Sequence, residues 1–244
     1  MSTPLQTRRP VAAHAAGRRA LRGRHGVPGY VAALVLLALS YWICAVQRTT
    51  NPSPSAFLLI LATVAVVFHI TAVRAVIQHV AWIVLATAGV ATIVATLVGA
   101  EGRILDVMFS AASIAALLVA PAAIVAHQAR RRGFNLEALM ATITAYLLVG
   151  MLFTFVFNLV SLVSSAPMFG DGSEDSLSNQ LFFSFTTLTT TGYGNLAPVT
   201  SGSQAVAVAE AITGQLFLIT AVARIMRGSS LRPATRPDSR QEAS

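Results

Sequence analysis

Thr189-Thr190-Thr191-Gly192-Tyr193-Gly194-Asn195 is the stretch on which the reading of this 244-residue chain turns. It follows a short apolar segment, Leu181 to Leu188, and precedes Pro198 and a last long apolar run. Glycine enters the left-handed backbone region freely, whereas an L-residue there costs roughly 1–2 kcal/mol. Two glycines flanking one tyrosine therefore let successive backbone carbonyls turn to one side. Four such strands around an axis would stack rings of oxygen able to replace a cation's water shell. A hairpin turn in an outside loop is the competing reading. It leaves unexplained the threonines at 187, 189, 190 and 191 and the apolar segments on both sides.

Thr190-Thr191-Gly192-Tyr193-Gly194 resembles the Thr-Val-Gly-Tyr-Gly filter of the potassium-channel pore-domain superfamily. The resemblance runs from about Glu137 to Met226. Thr191 stands where valine is usual, which bears on selectivity, and Asn195 where aspartate is usual, which bears on filter stability. The resemblance implies that the carbonyls of Thr190, Thr191, Gly192 and Tyr193 coordinate K+, with the Thr190 hydroxyl as innermost ligand and Gly194 turning the chain outward. It implies a Tyr193 ring packed behind the filter, with Phe182 and Phe183 at supporting positions where tryptophan is more usual. It also implies passive K+ conduction by a homotetramer, since one filter per chain makes no ring alone.

Composition agrees. Hydrophobic residues make up 55% and charged residues 11%, against about 25% charged in soluble domains. The chain reads as an all-α integral membrane protein. The 17 basic residues are all arginine and give a net charge of +8, but they sit at the ends of apolar segments, so no nucleic-acid face forms. Cys44 is the only cysteine, so an internal disulfide or zinc site is excluded. No serine elbow, HExxH or phosphate loop suggests an enzyme, and no cofactor is expected.

A spanning helix needs about 20 apolar residues. Six spans are expected, at Tyr30–Val46, Ala56–Thr71, Ala75–Gly99, Ile104–His127, Leu136–Val163 and Gly202–Met226. A re-entrant helix at Asn179–Thr189, capped by Ser178 or Asn179, and the filter loop lie between the fifth and sixth. The division is an Arg-rich cytoplasmic tail (1–29), a four-helix membrane unit (30–127), a linker (128–136), a pore unit (137–226) and a short tail (227–244). An even count puts both termini inside a cell (plasma) membrane. Arg74 and Arg130-Arg131-Arg132 then lie inside too, as the positive-inside rule asks. The N-terminal arginines retain that end inside or bind lipid; a signal peptide competes for the first span. The fourth span has no arginine between Arg103 and Arg130, so no voltage sensor is expected. Pro121 should kink it. Asn135 is a helix cap with Glu137 in the first turn, and His69, His79 and His127 read as interfacial groups or proton sensors.

Around the filter, Asp171, Glu174 and Asp175 are outer-vestibule acids or ordinary loop residues. Glu210, ionisable inside a span, either braces the re-entrant helix near Thr186 or Thr187 or faces the cavity. Gly214, one turn on, is a gating-hinge candidate or a close-packing position. Arg224 should snorkel to the cytoplasmic interface. A subunit of a potassium uptake transporter, a non-selective cation channel and a non-conducting regulatory subunit are the alternatives.

Overall fold

The computed structural model describes residues 26–48, 54–71, 90, 94, 102–129, 135–170 and 172–229. Their elements are α1 (Gly26–Val46), α2 (Pro54–Thr71), α3 (Arg103–Ala129), α4 (Leu136–Val163), α5 (Leu177–Leu188) and α6 (Ser201–Ser229). Among the described residues there is no strand, only a Phe169–Pro198 bridge. Val27–Val46, Arg103–Ala129, Leu136–Val163 and Ser201–Arg224 are each long and apolar enough to cross a bilayer, and Ser55–Thr71 is a shorter apolar helix. The chain is a multi-pass membrane protein, and the elements among its described residues are all helices. Apart from Val90 and Val94, the expected span Ala75–Gly99 lies outside the described residues, as do most of both tails and residues 130–134.

Local chemistry explains the helix boundaries. Asn135 caps α4, its side chain accepting from the Ala138 amide at 2.9 Å, with Glu137 in the first turn, where a carboxylate suits the helix dipole. The first helix already includes Gly26, ahead of the expected Tyr30. Pro121 does not end α3; its buried ring lies inside a helix whose neighbours stabilise it.

The hub is α4, which packs against α1, α3, α5 and α6, while α1 also packs against α2 and α5. Contacts between helix ends fix their directions. Arg103, opening α3, donates to the Leu162 and Ser164 carbonyls at the end of α4, at 2.6 and 3.3 Å, a cation on a helix C-terminus. Phe57 stacks on Phe109 near the starts of α2 and α3, with ring centroids 5.3 Å apart. At the opposite end Arg224 donates to the Gln128 carbonyl of α3. Gly29 of α1 lies against Ile70 of α2. Thr71 and Arg103 therefore stand at opposite ends of the bundle.

Candidate functional site

The site grows from α5. Its N-cap is Ser176, whose hydroxyl accepts from the Asn179 amide at 3.2 Å, and not Ser178 or Asn179. That correction frees Ser178 for another task. Its backbone amide, one of the first-turn donors without an intrahelical acceptor, donates to the Gln47 carbonyl at 3.2 Å. Its hydroxyl donates to the Ala45 carbonyl at 2.9 Å. The C-terminal end of α1 thus meets the N-terminal end of α5, a favourable dipole junction. The Tyr41 and Phe185 rings meet edge-on, 5.3 Å apart, between the same two helices.

At the other end of α5, each of the last four carbonyls has an acceptor role. Phe185 O takes the Thr189 amide at 3.1 Å and the Thr189 hydroxyl at 2.7 Å. Thr186 O takes the amides of Thr191 and Gly192, at 2.8 and 3.2 Å, and Thr187 O takes that of Thr190 at 3.0 Å. Leu188 O takes the Tyr146 hydroxyl of α4 at 3.1 Å. The bonds from Thr190 and Thr191 form a Schellman closure, with Thr190 in the left-handed position at φ 57°. That position normally takes glycine. A β-branched residue there costs roughly 1–2 kcal/mol; three amide bonds at about 0.5–1.5 kcal/mol each offset it.

Beyond Thr190 the left-handed conformation recurs at every second residue, with Gly192 at φ 53° and Gly194 at φ 81°. Positive φ at 190, 192 and 194 but not at 191 or 193 is the alternation under which consecutive carbonyls face one side. The Tyr193 ring stacks on Phe182, centroids 5.7 Å apart and nearly parallel at 15°. Residues 189–195 are all exposed in the single chain. The Thr191 and Thr189 hydroxyls lie 2.9 Å apart. Since Thr189 donates to Phe185 O, Thr191 is the donor of that pair. Thr191→Val, nearly isosteric, removes this tie. If residues 189–195 form a K+ filter, the expected result is a shift in the ratio of Rb+ to K+ flux in liposomes by roughly threefold to tenfold, the effect of one hydrogen bond. An unchanged ratio would show that the hydroxyl plays no part in selectivity.

The remaining expected residues fall around this core. Glu210 is fully buried and reaches α5 at Ser184, whose hydroxyl lies 2.6 Å from Glu210 Oε1 and 2.8 Å from the Gly150 carbonyl of α4. The partner is Ser184, not Thr186 or Thr187, so the carboxyl sits between helices rather than in a cavity. The Thr186 hydroxyl donates to Phe183 O at 3.0 Å, and Thr187 contributes its carbonyl. Gly214 backs onto Leu188; a Cβ there would stand 2.4 Å from its carbonyl oxygen. Phe183 turns away from Tyr193 and packs edge-on against Phe157 and Phe169, 5.1 and 5.4 Å away.

Asp175 is held by its own loop and by α4. Its carboxylate accepts from the Ser161 hydroxyl at 3.0 Å and from the amides of Met168 and Phe169 at 2.8 and 3.3 Å. That loop is joined to the segment after 195 by Val199 N to Met168 O at 2.9 Å and Gly170 N to Ala197 O at 3.3 Å. Glu174 is exposed, as is Asn195; Asp171 lies outside the described residues. Sequence reasoning missed Tyr146, Ser184, Asn158 and Gln180. The available signal was polarity: amides and hydroxyls inside segments otherwise apolar.

No curated protein and no solved structure matches the chain. Residues 141–228, from α4 through the 189–195 segment to the end of α6, match the family model described as an ion channel.

Proposed function

We propose that the chain is a potassium-selective channel that conducts K+ passively through a filter formed by four copies. The observation that carries this reading is the left-handed alternation at Thr190, Gly192 and Gly194, set at the C-terminus of α5. The carbonyls of Thr190, Thr191, Gly192 and Tyr193 bind K+, and the Thr190 hydroxyl is the innermost ligand. The dipole of α5 adds partial negative charge near Thr189, which favours a cation in a dry site. Irregular backbone at membrane depth persists only when enclosed by protein or lining water. The exposure of 189–195, and of Val208, Ile212, Leu216 and Ile219 along α6, supports enclosure by further copies of the chain. The opposed ends at Thr71 and Arg103 support an additional crossing between them, hence six spans with α5 re-entrant. The Arg224 end of the bundle is then cytoplasmic, with both termini in the cytoplasm.

The test is flux from liposomes holding only this protein. K+ efflux blocked by Ba2+, with a reversal potential in mixed Na+ and K+ close to that for K+, is the expected result. Equal Na+ permeation would replace the reading by a non-selective channel. Absence of flux from tetrameric protein would replace it by a non-conducting or transporter subunit.

A further inference from the structure

We propose that Ser110, Asn158 and Gln180 form a one-directional hydrogen-bond chain by which α3 holds the filter's frame, making these three side chains positioning residues for K+ selection. The proposal rests on the channel reading of residues 189–195. All three side chains are fully buried. Ser110 Oγ of α3 donates to Asn158 Oδ1 of α4 at 2.6 Å. Asn158 Nδ2 donates to Gln180 Oε1 of α5 at 3.1 Å. Gln180 Nε2 donates to the Asp175 carbonyl, also at 3.1 Å.

The last acceptor sets the direction of every link. A backbone carbonyl oxygen accepts only, so Gln180 must turn its NH2 toward Asp175 and its Oε1 toward Asn158. Asn158 must then offer NH2 to Gln180 and Oδ1 to Ser110, which leaves Ser110 as the donor. Turning either amide over sets two acceptors, or two NH2 groups, face to face. In a low-dielectric interior such a mismatch is costly. The chain ends where the frame begins. Asp175 directly precedes the Ser176 cap, and its carboxylate holds the Met168 and Phe169 amides. Met168 and Gly170 in turn bond Val199 and Ala197 beyond the filter. A shift of α3 against α4 therefore reaches both the start of the pore helix and the strand leaving the filter, with no arginine sensor in α3.

The direction makes acid and amide inequivalent. Asn158→Asp keeps shape and accepts from Ser110 but has no NH2 for Gln180. Ser110→Ala removes the first donor, which lies on α3 and hydrogen-bonds α4. The full chain in lipid nanodiscs is compared by amide hydrogen exchange across residues 176–182, and in liposomes by the Rb+ to K+ flux ratio. Expected for each single variant is roughly fivefold to tenfold faster exchange in that turn, the effect of one buried hydrogen bond, together with a changed flux ratio. Ser110→Ala combined with Asn158→Asp is expected to add little to Asn158→Asp alone, the mark of a shared path. Exchange in α6 reports intact folding. Wild-type exchange in Ser110→Ala, an unaltered flux ratio, or fully additive effects in the double variant would each overturn the proposal. Exchange needs no current, so a wild-type protein that passes no K+ would count against the channel reading, whereas unchanged exchange counts against the chain.

Discussion

Gly192→Ala is expected to reduce K+ flux to that of protein-free liposomes while leaving the oligomer's size and thermal midpoint unchanged. Gly192 holds φ 53°, and nothing lies within 4 Å of where a Cβ would be. The substitution therefore meets no steric obstacle within its own chain, and folding has no reason to fail. What it meets is conformational. Alanine in the left-handed region costs roughly 1–2 kcal/mol per copy, roughly 4–8 kcal/mol in the proposed tetramer. The segment escapes that cost by returning residue 192 to negative φ, which turns an adjacent peptide plane and, in the proposed tetramer, takes a layer of oxygens off the axis. Selective flux in a Gly192→Ala protein of normal stability would remove the basis for placing K+ on these carbonyls.

Gly192 was legible because backbone handedness is written into residue type. Spans were legible for a similar reason: length and apolarity suffice to call α1, α3, α4 and α6, and α5 is recognisable as an apolar piece too short to cross. What the sequence concealed is which faces meet. A helix apolar all round has no polar stripe to mark its orientation, so Glu210 read as a brace without revealing that Ser184 would be its partner, at 2.6 Å. The cap was misplaced for a related reason. Ser176, Ser178 and Asn179 are all competent N-caps, and the choice is settled by α1, whose Ala45 and Gln47 carbonyls engage Ser178. Thr190 offered no warning at all, because a left-handed threonine after a helix breaks the preference for glycine there. Asp175 looked like surface charge until the Met168 and Phe169 amides were found on its carboxylate.

Gly214→Ala is expected to lower the thermal midpoint of the solubilised oligomer and to impair K+ selectivity, and Gly150→Ala to do much less. Both glycines face α5, but they face different things. At Gly150 an added Cβ meets the far edge of the Phe185 ring at 2.7 Å, and at Gly214 it meets the Leu188 backbone oxygen at 2.4 Å. A ring edge can swing aside. The Leu188 carbonyl cannot move without breaking its bond from Tyr146, 3.1 Å away, whose ring also rests on Phe217 of α6 with centroids 5.4 Å apart. Relief must come from α6 moving off α5, and overpacking of this kind costs roughly 1–3 kcal/mol. Glu210 lies one turn earlier on the same face, so the same displacement draws its carboxyl from Ser184 and loosens α5 at two points. A hinge predicts otherwise: α6 runs unbroken from Ser201 to Ser229, and alanine at a bending point would stiffen it, changing the open fraction without lowering stability. A Gly214→Ala protein with an unchanged midpoint and altered open probability would make residue 214 a hinge; a lowered midpoint with sodium leak makes it the surface on which the filter's helix ends.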